Sequence, residues 1–168
     1  MEMPRDPGAG GLAEIDAHVH AVRRVGLEDC GLRHGSEVDK FTPFVRRITA
    51  EGDHWRWEMG GLEVLGKSVT PSFTERMILK EPDRIEFHHD PPEGAREKSS
   101  VEGWYDLSTV PEDEGGGTAL VTDLTISLDL PLPGVARSAV KAAMGRVIDT
   151  MGDKFSANLL EHLGTTQR

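Results

Sequence analysis

Apolar alternation at strand spacing fills most of the chain up to residue 130, and apolar repetition at helix spacing replaces it afterwards. In "TALVTDLTISLDL", Leu120, Leu124, Ile126, Leu128 and Leu130 share one face, against Val121, Asp123, Thr125, Ser127 and Asp129 on the other. One apolar and one polar face mark an antiparallel strand with a solvated side. "PLPG" then stops the strand, and Val140, Met144, Val147, Met151 and Phe155 recur three or four residues apart. That stripe predicts one helix over residues 133–163, with Gly164 as its C-terminal glycine. Strands first and a long helix last predict an α+β architecture. A long meander with one apolar face must curl around something, and the last helix is the sizeable apolar partner.

The earlier runs fit the same scheme. Residues 1–10 are rich in Pro and Gly and read as a flexible tail, leaving residues 11–168 as a single domain. "LAEIDAHVH" sets Ile15, Ala17 and Val19 against Glu14, Asp16, His18 and His20, a half-buried strand. Residues 21–43 are irregular, with short helical possibilities around "RRVGLEDCG" and a polar stretch "RHGSEVDK". "FVRRITA" and "HWRWEM" flank the turn "EGD" as a hairpin, with Trp55, Trp57 and Met59 on one face. "SFTERMILK", "IEFHH" and "SSVEGWYDLSTV" follow, separated by the turn "EPDR" and the loop "DPPEGA". The total is about seven strands.

Gly145 and Gly152 interrupt the helical stripe one heptad apart. Each costs about 1 kcal/mol relative to alanine, severalfold less than the helix gains by burying its apolar side chains. Both fall on the flank of the stripe, beside Leu159 and Leu163. There they either allow close packing, leave room beside the helix, or are simply tolerated.

A hydrophobic share of 37% and a charged share of 29% define a soluble globular chain. The net charge of −10 argues against nucleic acid and anionic membrane surfaces, which select basic patches. The lone Cys30 cannot form an internal disulfide and reads as a small buried hydrophobe in a reducing compartment. No apolar run is long enough for an integral membrane segment, and the first residues lack the pattern of a signal peptide, so the expected location is cytoplasmic.

The block "EPDRIEF", the strand "EGWYDL", "GGGTALVTDLTISL" and the ending "DKFSANLLEHL" together resemble the START-like superfamily. This superfamily comprises polyketide cyclase/dehydrase and lipid-transfer proteins with the helix-grip fold, and the resemblance spans residues 44–164. It implies a curved antiparallel sheet wrapped around the C-terminal helix, with an apolar cavity between them. Its motifs are patterns of turn, strand and helix, so they specify the fold far better than the activity.

Inward strand parity nominates Trp55, Trp57, Met77, Phe87, His89, Tyr105, Leu107, Leu124 and Ile126 as ligand-binding positions. The helix adds Met144, Val147, Met151 and Phe155. Glu75, Arg76, His89 and Tyr105 are the candidate polar handles, and His89, Tyr105 and Arg76 are those considered for catalysis. His18 with His20, and His88 with His89 and Asp90, lack a further ligand at local spacing, so no metal is expected. No catalytic triad, phosphate loop or dinucleotide fingerprint is present, and "GGGT" lies between two strands, so no cofactor is expected. Binding of a hydrophobic small molecule or lipid is the leading expectation. The resemblance also allows a polyketide aromatase/cyclase, with His89, Tyr105 or Arg76 moving protons. A third possibility is an accessory protein resembling that of carbon monoxide dehydrogenase, whose partner would be a protein or membrane. The sequence does not set the oligomeric state.

Overall fold

The computed structural model describes residues 11–22, 35–64, 66–114, 117–130 and 134–163. Along the chain run β1 (Gly11–Val22), α1 (Gly35–Phe41), β2 (Val45–Glu51), β3 (His54–Met59), β4 (Leu62–Val64) and β5 (Lys67–Val69). They are followed by β6 (Ser72–Lys80), β7 (Arg84–His89), β8 (Ser99–Val110), β9 (Gly117–Leu130) and α2 (Arg137–His162). Seven strands form one antiparallel sheet in the order β1-β9-β8-β7-β6-β3-β2, while β4 and β5 pair apart as a small hairpin. The first two strands of the chain thus lie on opposite edges of the sheet, and the connection containing α1 passes from one edge to the other.

Local chemistry explains the main turns and bends. Gly52 takes φ 64° between β2 and β3, a left-handed conformation that a glycine adopts without strain. Gly103 sits mid-strand where β8 passes close to β9. A Cβ there would collide with the Asp123 carbonyl oxygen and lie 2.8 Å from Leu124 Cα. A residue with no side chain permits that approach.

The predicted C-terminal helix forms as one element, led in by a 3-10 turn at Gly134–Ala136. Val140, Met144, Phe155, Leu159 and Leu160 are buried on it, and Val147 and Met151 are half-buried. A fully buried side chain of this size contributes about 1.5–3 kcal/mol, so the stripe anchors the helix to the sheet. The alternation of β3 and β6 is realised too: Trp55, Trp57, Phe73, Glu75 and Met77 are buried, while Arg56 and Arg76 are exposed.

Two local readings change. The polar stretch "RHGSEVDK" contains most of α1, because Val38 and Phe41, one turn apart, are each only 2% exposed. Seven residues are too few for a helical period to show in sequence. The β4–β5 hairpin is an addition to the expected strands, since strands of three residues carry almost no alternation. Residues 1–10, the segment "RRVGLEDCG" with Cys30, and Gly164 lie outside the described residues.

Candidate functional site: the cavity between the sheet and α2

A cavity of about 200 Å³ lies between the sheet and α2. Trp55, Trp57 and Met59 of β3 line it, with Phe73, Glu75 and Met77 of β6 beside them. Phe87, Val101 and Tyr105 continue the wall through β7 and β8, and Leu124 and Ile126 through β9. From the other side come Met144, Val147, Met151, Gly152 and Phe155 of α2, with Val38 of α1. Aromatic contacts stiffen the sheet side: Trp57 stacks on Phe73 at 5.9 Å, and Phe87 meets Tyr105 at 5.2 Å between ring centroids.

Three lining hydroxyls are turned to the backbone. Thr42 Oγ1 donates to the Val38 carbonyl at 2.9 Å, Ser99 Oγ to Ser72 at 2.8 Å, and Thr122 Oγ1 to Trp104 at 3.0 Å. Glu75 is different. It is 3% exposed, it borders the cavity, and its neighbours on β6 along the inward face are Phe73 and Met77. Burial among apolar groups pushes its carboxyl well above the usual glutamate range, and the Trp57 indole opposes that push only weakly. Its protonated, hydrogen-bond-donating form is therefore favoured. Trp57 Nε1 is itself buried and has no completed hydrogen bond, although the Glu75 carboxyl lies near enough to feel it.

Of the positions nominated from sequence, Trp55, Trp57, Met77, Phe87, Tyr105, Leu124, Ile126, Met144, Val147, Met151 and Phe155 converge on this cavity. His89, Leu107 and Arg76 do not. The His89 ring sits 2.9 Å from Glu97 Oε2, and Glu97 also accepts from the Thr74 backbone N–H at 2.7 Å and from Thr74 Oγ1 at 2.8 Å. Glu97 thereby completes the bonding of β6 where β7 runs out. Leu107 packs against the core beyond the cavity wall. Arg76 faces outward, its Nε 2.9 Å from Asp53 Oδ2. Beside it His54 lies between Asp53 at 2.8 Å and Asp90 at 3.0 Å, an exposed cluster whose Asp90 bond raises the His54 pKa most. Phe73, Val101 and Val38 line the cavity in addition to the nominated positions. Alternation points to the first two, whereas Val38 carries no sequence signal. Among the described residues no group of three or more His, Cys, Asp or Glu side chains could hold a metal ion. No described helix is long and apolar enough to cross a membrane.

A curved seven-stranded antiparallel sheet around a long C-terminal helix, with a cavity between them, is the START-like helix-grip fold. A START superfamily protein from Mycobacterium smegmatis superposes with TM-score 0.56 at 16% identity, over 89% of this chain and 98% of its own. A conserved protein from Geobacillus kaustophilus gives TM-score 0.60 at 10% identity, over 92% and 98%. A protein from Thermus thermophilus gives 0.58 at 20% identity, over 89% and 98%. At these identities the likeness is one of fold alone. No protein-family model and no curated protein sequence matches the chain.

Proposed function

We propose that the protein binds a compact hydrophobic molecule in the cavity between its sheet and α2. The observation that carries this reading is the lining: aromatic, aliphatic and methionine side chains around about 200 Å³, with few polar groups among them. Ligand sites combine such walls with a small number of placed polar groups, and Glu75 fills that place here. Met77, Met144 and Met151 supply flexible thioethers that adjust to an irregular guest. Elsewhere an apolar cavity of about 150 Å³ accepts benzene, so this one suits a one- or two-ring frame or a single short chain better than a two-chain lipid. The lone cysteine and the charge of −10 fit a cytoplasmic setting.

Native mass spectrometry of the protein, purified without denaturant, tests the reading. A retained small-molecule adduct that disappears on unfolding is expected. A bare mass, with no uptake from a panel of uncharged ring compounds, would contradict it. A second reading is polyketide cyclase-like proton transfer, and Glu75 rather than His89 or Arg76 favours it, because that buried acid borders the cavity. Turnover of a bound carbonyl compound that vanishes in Glu75→Gln while binding persists would distinguish it.

A further inference from the structure

We infer that the molecule held in the cavity is neutral and carries a carbonyl-type oxygen, received jointly by the Glu75 carboxyl and the Trp57 indole N–H. This rests on the cavity being a binding site, as proposed above. In the register between β3 and β6, Trp55 pairs with Glu75 and Trp57 with Phe73, so Glu75 and Trp57 are diagonal neighbours on the inward face. Diagonal positions lie within reach of long side chains. Both residues border the cavity. Trp57 Nε1 is buried without a hydrogen-bond partner, and a buried indole N–H normally has one. An acceptor supplied by a guest would complete it.

Charge selects the class of guest. The described residues lining the cavity include no Lys, Arg or His, and the other ionisable carboxylate among them, Glu63, is exposed. An anionic guest would enter without a counter-charge and would meet carboxyl groups. An ammonium fares little better, because it carries only donors and the Trp57 N–H is also only a donor. A neutral oxygen with two lone pairs matches both groups, taking the O–H of protonated Glu75 and the N–H of Trp57. The dry, apolar surroundings of Glu75 favour that protonated form.

Three probes sharing one frame test the inference: 2-acetylnaphthalene with its ketone, 2-ethylnaphthalene without it, and 1-(2-naphthyl)ethylamine, a cation at neutral pH. Titrated by calorimetry into the full chain, the ketone is expected to bind about tenfold tighter than the hydrocarbon, with the amine weakest. Glu75→Gln keeps a donor in place and retains most of that preference, Glu75→Leu abolishes it, and Trp57→Phe reduces it severalfold. Infrared difference spectra of the wild type supply a readout that needs no folded Leu variant. The protonated carboxyl band should move with the ketone and stay put with the hydrocarbon. Equal affinity for ketone and hydrocarbon, tightest binding of the amine, or an unmoved band would overturn the inference and leave ligand binding standing. Uptake of none of the three by folded protein would overturn both.

Discussion

Asn158 Nδ2 donates to the Phe41 carbonyl oxygen over 3.0 Å, tying the last turns of α2 to the C-terminal end of α1. The last carbonyls of a helix have no partner within it, so the amide satisfies a group that would otherwise be left open. The Phe41 ring meets Phe155 edge-on at 6.5 Å, and Val38 and Thr42 beside it border the cavity. This one bond therefore helps to fix a wall of the site. Asn158→Ala is expected to lower stability by about 1–2 kcal/mol. Urea denaturation should show a lower midpoint at unchanged slope, and an unmoved midpoint would refute the assignment.

Gly103 and Gly145 give opposite expectations for the same substitution. A Cβ at Gly103 would strike the β9 backbone, whereas one at Gly145 would meet nothing within 4 Å. Gly103→Ala should destabilise by about 2 kcal/mol or more, because β8 must move off β9. Gly145→Ala should stabilise by up to about 1 kcal/mol through helix propensity alone. Thermal unfolding of the two variants reads both signs, and the same sign in both would contradict the packing described.

Glu97 holds the open end of β6 through the Thr74 N–H and hydroxyl and the His89 ring. Its side chain is 7% exposed, so removing it leaves buried donors unpaired. Glu97→Ala should cost about 1–3 kcal/mol and speed hydrogen exchange at the Thr74 amide. Exchange unchanged at that amide would show that β6 does not depend on Glu97.

A pH dependence follows from Glu75. Its folded pKa stands well above the ordinary glutamate value of 4.5, so the native state keeps a proton that the unfolded chain releases. That contribution to stability is complete below 4.5 and is lost as pH rises through the folded value. Asp53, lowered chiefly by its bond to Arg76, and Glu86, lowered chiefly by Lys80, act in the opposite sense and lose their contribution as pH falls. Comparing wild type with Glu75→Gln removes those shared effects. The difference in denaturation midpoint should move in favour of the variant as pH is raised from about 4 to about 9, and a constant difference would refute a buried neutral acid.

Strand parity made much of the site legible, because a period of two leaves a side chain only one of two faces. Trp55, Trp57, Met77, Phe87 and Tyr105 reached the cavity wall on that basis alone. Parity fixes the face and not the place along the strand relative to α2. His89 shares the inward parity of Phe87 but stands where β7 ends, and its ring turns to Glu97. Leu107 likewise lies past the cavity. The two helix glycines share a flank on a helical wheel, yet Gly152 borders the cavity while a side chain at Gly145 would enter open space. Alternation also placed Glu75 between Phe73 and Met77, but its depth of burial is a tertiary property set by the helix above it.

The most direct measurement titrates an uncharged, environment-sensitive dye into wild type and Gly152→Leu, with circular dichroism to confirm that both fold. A leucine at this lining position would occupy guest volume or push α2 outward, and overpacking of that kind costs about 1–3 kcal/mol. Saturable binding by the wild type, weakened about tenfold in the folded variant, is the result predicted for a cavity that binds between sheet and helix. No saturable binding by the folded wild type, or equal binding by both proteins, would contradict it.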